Sequence, residues 1–123
     1  DRLCEQLDAV SNIRLPSPRL KEDFVREQMA AIGLAGCEGQ PAAELSGGMR
    51  RRTALLRGLL ADWDILFLDE PFGGLDQDTK SRTMAYTRTV CQNRTVVFVT
   101  HDAAEAEGIG AGWTIKPVFL SPA

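Results

Sequence analysis

Histidine is almost absent from this chain: His101 stands alone among 123 residues. A single histidine excludes any multi-histidine metal site. Cysteine is nearly as scarce. Cys4, Cys37 and Cys91 make an odd total of 3, with no C-x-x-C pair. That suits a reducing cytosol and points to neither a disulfide framework nor a zinc site. No apolar run approaches the roughly 18 residues a membrane span needs. No signal-peptide pattern opens the chain, and Asp1, which is not Met, is not expected to be a natural translation start. Positive charge is not in excess either. The 14 Lys and Arg face 17 Asp and Glu, for a net charge of −3, which argues against a general nucleic-acid partner because such partners need a basic face. Repeats, low-complexity segments and heptads are missing too. What remains is an ordinary globular composition, 44% apolar and 25% charged, long enough for one domain with a real core.

The most informative stretch is Asp64-Ile65-Leu66-Phe67-Leu68-Asp69-Glu70-Pro71. Its apolar run does not alternate, which predicts a parallel strand at Ile65–Leu68 covered by helices on both faces. It ends in two carboxylates, and open parallel sheets bind ligands just beyond the carboxyl ends of their strands. Pro71 stops the strand. Paired acids there suit metal binding plus base catalysis, or simply a strand end reaching solvent. A second buried strand is expected at 95–99, running into Thr100-His101-Asp102. His101 should then share a sheet edge with Asp69. A lone histidine is more often structural, and its place at that strand end reverses the preference. Helices are expected at 5–10 and 19–32, the latter on Leu20, Phe24, Met29 and Ile32. Others are expected from Ser46 to about Ala61, at 77–92 despite four threonines, and at 103–107, ended by Gly108 and Gly110. Pro41 is expected to start a short turn, and 113–120 to form a last, irregular strand around Pro117.

Leu45-Ser46-Gly47-Gly48-Met49-Arg50-Arg51-Arg52 opens the third helix. Ser46 is placed as an N-cap. Gly47 and Gly48 would let a phosphate approach exposed N–H groups. Three arginines in the first turns oppose the helix dipole unless an anion or acidic neighbours compensate. At least one of them is expected in a salt-bridged, solvated face. Downstream, Gly73-Gly74-Leu75-Asp76 reads as a turn in which Asp76 could be an ordinary turn aspartate.

Taken in order, these stretches resemble the later part of an ABC-type ATPase, the nucleotide-binding subunit of ABC transporters. The resemblance covers nearly the whole chain, and it rests on four ordered motifs. It makes Leu45 to Met49 the signature motif, with Ser46, Gly47 and Gly48 addressing the γ-phosphate of ATP held by a partner subunit. It makes Ile65 to Asp69 the Walker B strand and Glu70 the catalytic glutamate. Asp76 becomes the D-loop acid that couples the two sites of a dimer, and His101 the switch histidine. The family more often has Gln where this chain has Arg51, a change expected to say little about chemistry. The implied fold is α/β, a partial P-loop NTPase (RecA-like) parallel sheet with a helical subdomain. The helical subdomain with its signature helix would span 1–60, and the later half of the RecA-like core 61–123. The implied cofactors are ATP and Mg²⁺. Asp69 would serve the Mg²⁺ shell, since magnesium keeps several waters and needs few carboxylates, and Glu70 would polarise or position the attacking water. A neutral His101 ring would contact the γ-phosphate.

The implied partners are a second ATPase subunit, as a homodimer, and a transmembrane permease subunit touched by the charged face with Lys21, Glu22 and Arg26. The implied location is cytoplasmic, peripheral on the inner face of the cell membrane. The wording Pro71-Phe72-Gly73-Gly74-Leu75-Asp76 looks like importers of the nitrate, sulfonate or taurine type. A phosphate loop needs G-x-x-x-x-G-K-[ST], but Lys21, Lys80 and Lys116 follow Leu20, Thr79 and Ile115. No Q-loop glutamine is identifiable, and Asp1-Arg2-Leu3 looks like the residues just beyond one. The expectation is an ATPase chain beginning past its Q-loop, inactive alone. A non-catalytic docking module for a membrane subunit or partner ATPase is the alternative.

Overall fold

The computed structural model describes residues 2–115. The helices are α1 (Ala9–Arg14), α2 (Glu22–Ala31), α3 (Gly47–Leu60), α4 (Gln77–Val90) and α5 (Ala103–Gly108), with a 3-10 turn at Ala42–Glu44. The strands are β1 (Ile65–Asp69) and β2 (Thr95–Val99). They pair in parallel, from Ile65 opposite Thr95 to Asp69 opposite Val99. The architecture is α/β, as the apolar strands separated by a helix predict. Of the last expected strand, residues 113–115 are not in a strand, and its remainder lies outside the described residues.

The first helix begins later than expected. The Asp8 carboxylate accepts from the Ser11 N–H at 2.7 Å and sets the start at Ala9. Buried Asn12 holds the preceding segment against the helix. Its carbonyl oxygen accepts from the Cys4 N–H at 2.7 Å, and its amide nitrogen lies 3.0 Å from the carbonyl oxygens of Cys4 and Asp8. The carbonyls of Glu5 and Leu7 accept from the Ala43 and Ala42 N–H groups at 3.3 and 2.9 Å, so this segment makes its bonds outside a helix. In α2 the buried face is Val25 and Met29, with Ile32 just beyond, while Phe24 is exposed. A spacing of 4 then 3 residues keeps Val25, Met29 and Ile32 on one side, and Phe24 falls about 100° away from Val25. The helix closes on Gly33 at φ +80°, with Leu34 N–H bonded to Met29 O at 2.8 Å. That left-handed terminus favours glycine.

Helix α3 separates two cores. Leu56 joins Ala9, Val10, Ile13, Val25, Met29, Ile32 and Leu34 on one side. Leu55 and Leu59 join Leu68 and Phe72 on the other, flanked by Met84, Val96 and Phe98. The threonines of α4 turn out to be consistent with a helix. Thr83 and Thr87 are fully buried, and their hydroxyls donate to the carbonyls of Thr79 and Thr83 at 2.7 and 2.8 Å. Back-bonding of this kind removes the cost of burying a hydroxyl.

Burial of both sheet faces does not hold among the described residues. Leu66, Leu68, Val96 and Phe98 face the second core. Ile65, Phe67, Val97 and Val99 are exposed, Phe67 to 72%. The helices α3 and α4 both cover the same side, so the alternate residues of each strand meet no described partner. No helix among the described residues is long and apolar enough to cross a membrane.

Candidate active site

The parallel register ends both strands together, so Glu70 and His101 emerge side by side. The Glu70 backbone N–H continues the ladder to Val99 O at 2.8 Å. Its Oε1 then accepts from the His101 backbone N–H at 2.8 Å and lies 2.6 Å from His101 Nδ1. Glu70 sits at φ +46°, in the left-handed region. A non-glycine residue there costs on the order of 1 to 3 kcal/mol and persists only when its surroundings hold it. Its carbonyl is held twice, by Arg51 Nη1 at 2.6 Å and by the Gly73 N–H at 3.3 Å.

The bond to the His101 ring holds the Glu70 carboxyl below the ordinary carboxylate range and raises the ring above its ordinary value. The raised histidine contributes fully below its ordinary 6.5 and loses that contribution as pH rises through its raised value. The lowered carboxyl contributes fully above its ordinary 4.5 and loses it as pH falls through its lowered value. The ion pair is therefore complete across mildly acidic pH. Both groups touch solvent, so the stability involved is small. His101 is the only histidine in this sequence, and its ring can be followed by NMR. The expected titration midpoint lies above 6.5 and falls back in Glu70→Gln. A midpoint unchanged by that substitution would show that the pair does not form.

Asp69 is exposed at the end of β1, and among the described residues no hydrogen bond or ion pair engages its carboxylate. A single open carboxylate at a strand end fits Mg²⁺, which binds through one or two acids and keeps its waters. No group of three or more metal-ligating side chains occurs among the described residues, as a resident transition-metal site would need.

Ser46 caps α3, its hydroxyl accepting from the Met49 N–H at 3.3 Å. The Gly47 and Gly48 N–H groups belong to the first turn, where a helix supplies no partner of its own. With Gly73 and Gly74 across from them they line a cleft of about 360 Å³, flanked by Arg50 and Arg51. The three arginines are not left facing the helix dipole. Arg50 pairs with Glu5 and donates to Ala42 O at 2.6 Å. Arg52 donates to the carbonyls of Gly48 and Ile32 at 3.1 and 2.8 Å. Asp76 caps α4, with one oxygen on the Thr79 N–H at 2.9 Å and the other on the Thr79 hydroxyl at 2.7 Å.

One cluster escaped the sequence reading. Buried Glu105 accepts from Lys80 Nζ and from the Thr100 hydroxyl, at 2.6 and 2.7 Å. Thr100 Oγ1 in turn accepts from the Asp102 N–H at 3.0 Å, and Asp102 both caps α5 and pairs with Lys80 at 3.3 Å. The loop carrying His101 is thus tied to α4. Both contacts of Lys80 join residues at least 22 apart, and together the bonds form a single connected network. Only the i, i+5 spacing of Thr100 and Glu105 was visible locally. A larger cleft, about 570 Å³, lies between α4 and α5. Its Lys80 and Glu105 are spent on each other, and none of the expected site residues lines it.

The family model for the ABC transporter matches residues 1–73. The chain belongs to the ABC transporter family. It is 43% identical over 108 residues to the aliphatic sulfonates import ATP-binding protein SsuB 1 of Rhodococcus jostii, covering 86% of this chain and 44% of that relative. It is 40% identical over 88 residues to the bicarbonate transport ATP-binding protein CmpC of Synechococcus elongatus, covering 70% of this chain and 13% of that relative. Among solved structures it is similar to the dimeric, post-hydrolysis ATP-binding cassette MJ0796 bound to ADP and Pi, with a TM-score of 0.76 and 27% identity. That match covers 87% of this chain and 51% of the other. The chain thus spans about half the length of SsuB 1 and of the cassette, and the ABC ATPase fold is the one its described residues adopt.

Proposed function

We propose that this chain serves the ATP-hydrolysing subunit of an importer for small anionic solutes of the sulfonate or bicarbonate kind. The observation that carries the reading is the Glu70–His101 pair, set at the carboxyl edge of the sheet beside an open Asp69. Asp69 would hold Mg²⁺, and the ion when bound would neutralise charge on the phosphates of ATP. Glu70 Oε1 is engaged by His101, which leaves Oε2 to position and polarise the attacking water. His101 directs Nδ1 at the carboxylate, so a neutral ring would present a lone pair at Nε2. Only the imidazolium offers Nε2–H to a phosphate oxygen. The Glu70 carboxylate raises the ring above its ordinary value, which shifts the balance toward that form, whereas the sequence reading expects a neutral imidazole.

Ser46, Gly47 and Gly48 would meet the γ-phosphate held by a second subunit in a homodimer, through free N–H groups and the helix dipole. Asp76 fixes the Gly73-Gly74-Leu75 turn by capping α4, and that turn would face the partner subunit. The exposed Lys21, Glu22 and Arg26 around α2 would contact a permease subunit at the cytoplasmic, inner face of the membrane, with no nucleic acid involved. The helical part would comprise 1–60 and the sheet part 61–123. The open face of Ile65, Phe67, Val97 and Val99 is where the rest of such a subunit would pack.

The test is a mixed dimer of the whole protein in which one subunit carries Ser46→Arg. Hydrolysis should be impaired at the one site that subunit completes, leaving about half the activity if the sites act independently. Equal loss at both sites, or no loss, would overturn the trans role. Whole protein that binds its permease and never hydrolyses ATP would establish the docking module instead.

A further inference from the structure

We propose that Arg51 is a positioning residue for hydrolysis, holding the Glu70 backbone so that its carboxylate meets His101. The inference rests on the function proposed above, which makes Glu70 the residue acting on water. Arg51 begins the second turn of α3. From there its guanidinium reaches the Glu70 carbonyl, 19 residues away in sequence, at 2.6 Å. Glu70 is one of two non-glycine residues with positive φ among those described. A left-handed residue needs restraint from outside its own dihedral preferences, and Glu70 has it at every backbone polar group. The N–H is fixed by Val99 O, and the carbonyl by Arg51 and by the Gly73 N–H.

Of these three bonds, two belong to the strand and the turn and form wherever those form. Arg51 alone comes from outside the sheet and the turn. It joins the helix whose N-terminus lines the Gly47–Gly74 cleft to the backbone of the acting carboxylate. The path is tight. A Cβ on Gly73 would lie 3.1 Å from Arg51 Nη1, so the bare glycine leaves room for the guanidinium. Charge-assisted bonds to a carbonyl are stronger and shorter than neutral ones, and a planar guanidinium is held in orientation better than an ammonium. A movement of α3 on engaging a phosphate would therefore be transmitted to Glu70 through one side chain. Displacement of a catalytic group by about 1 Å costs up to about a hundredfold in rate.

The experiment compares R51M, R51K and E70Q in the whole protein. R51M should lower kcat about tenfold with KM for ATP within about twofold, because the lost interaction matters in the transition state and not in binding. R51K keeps a cationic donor on a shorter reach and should recover most of that loss. A second readout needs neither nucleotide nor metal. The His101 amide, which donates to Glu70 Oε1 at 2.8 Å, should exchange with solvent faster in R51M than in the wild type. Wild-type kcat and exchange in R51M would overturn the proposal. So would equal impairment in R51M and R51K, which would reduce Arg51 to packing. If R51M does not fold, R51Q replaces it, being too short to reach the carbonyl, with the same outcomes. Normal turnover in E70Q would defeat the underlying reading of Glu70. An inactive E70Q beside an unaffected R51M would defeat only the role of Arg51.

Discussion

Glu70→Gln in the whole protein should abolish turnover while ATP still binds. The substitution preserves size and keeps an oxygen to accept from the His101 backbone N–H, now made at 2.8 Å. The local backbone is anchored separately, through Val99 O, Arg51 and Gly73. What disappears is the negative charge that, on the proposed function, would orient water and draw its proton. Loss of a general base commonly costs ~10²- to 10⁴-fold. Binding should persist because Asp69 and the α3 N-terminus keep their groups. The expected result is a protein with wild-type affinity for ATP in calorimetry and hydrolysis at least a hundredfold down in a phosphate-release assay. Near-normal hydrolysis would remove Glu70 from the mechanism. The same variant frees His101 from its carboxylate partner, so the ring value and the rate should fall together.

What the sequence made legible were the features carried by contiguous residues. The two apolar strands stand at Ile65–Asp69 and Thr95–Val99, the first one residue longer than expected. The Ser46 cap and the α3 and α4 spans follow from local chemistry, because an N-cap needs only its own next three residues. The end of α5 is a near miss of the same kind. Gly108 lies inside the helix, and the left-handed Gly110, at φ +76°, closes it. Helix α1 starts later than expected although its Asp8 cap is local, because the apolar groups before Asp8 suggest a helix while Asn12, 8 residues beyond Cys4, holds Cys4 outside one. The buried face of α2 was misread because Phe24 is the larger side chain, yet Val25 shares the side of Met29. Size does not decide burial when the helical period places a smaller residue toward the core.

The site divides the same way. Asp69, Glu70 and His101 could be read because each ends a strand. The Arg51–Glu70 and Lys80–Glu105 contacts could not, since long polar side chains carry no periodic signal and their partners lie on other elements. Arg51 was expected to say little about chemistry, and the geometry gives it the Glu70 carbonyl. Burial on both sheet faces failed for another reason. A strand sequence records what covers it in its assembled surroundings, whereas the described residues cover one side only.

Phe72→Ala should cost the second-largest effect, in stability. Phe72 is the largest fully buried side chain among the described residues. Its ring lies 5.7 Å from that of Phe98, tilted by 46°, within the range where aromatic pairs add to burial. The core it fills is small, with only Leu55, Leu59 and Leu68 as fully or nearly buried companions. Removing a fully buried ring leaves a cavity that its neighbours close only in part, so the truncation should cost about 3 to 5 kcal/mol. Against a typical total of about 5 to 15 kcal/mol that is a large share. Phe72 also sits inside the turn closed by Gly73 N–H on Glu70 O, so loosening it should unseat Glu70 as well as soften the core. The urea midpoint of the whole protein should fall sharply, with Phe72→Leu falling less because it leaves a smaller cavity. Activity should fall in Phe72→Leu at temperatures where the protein remains folded, since the left-handed Glu70 depends on that turn. A shift in the midpoint worth under about 1 kcal/mol for Phe72→Ala would mean that the ring is dispensable. The link drawn here between the second core and the acid pair would then fail.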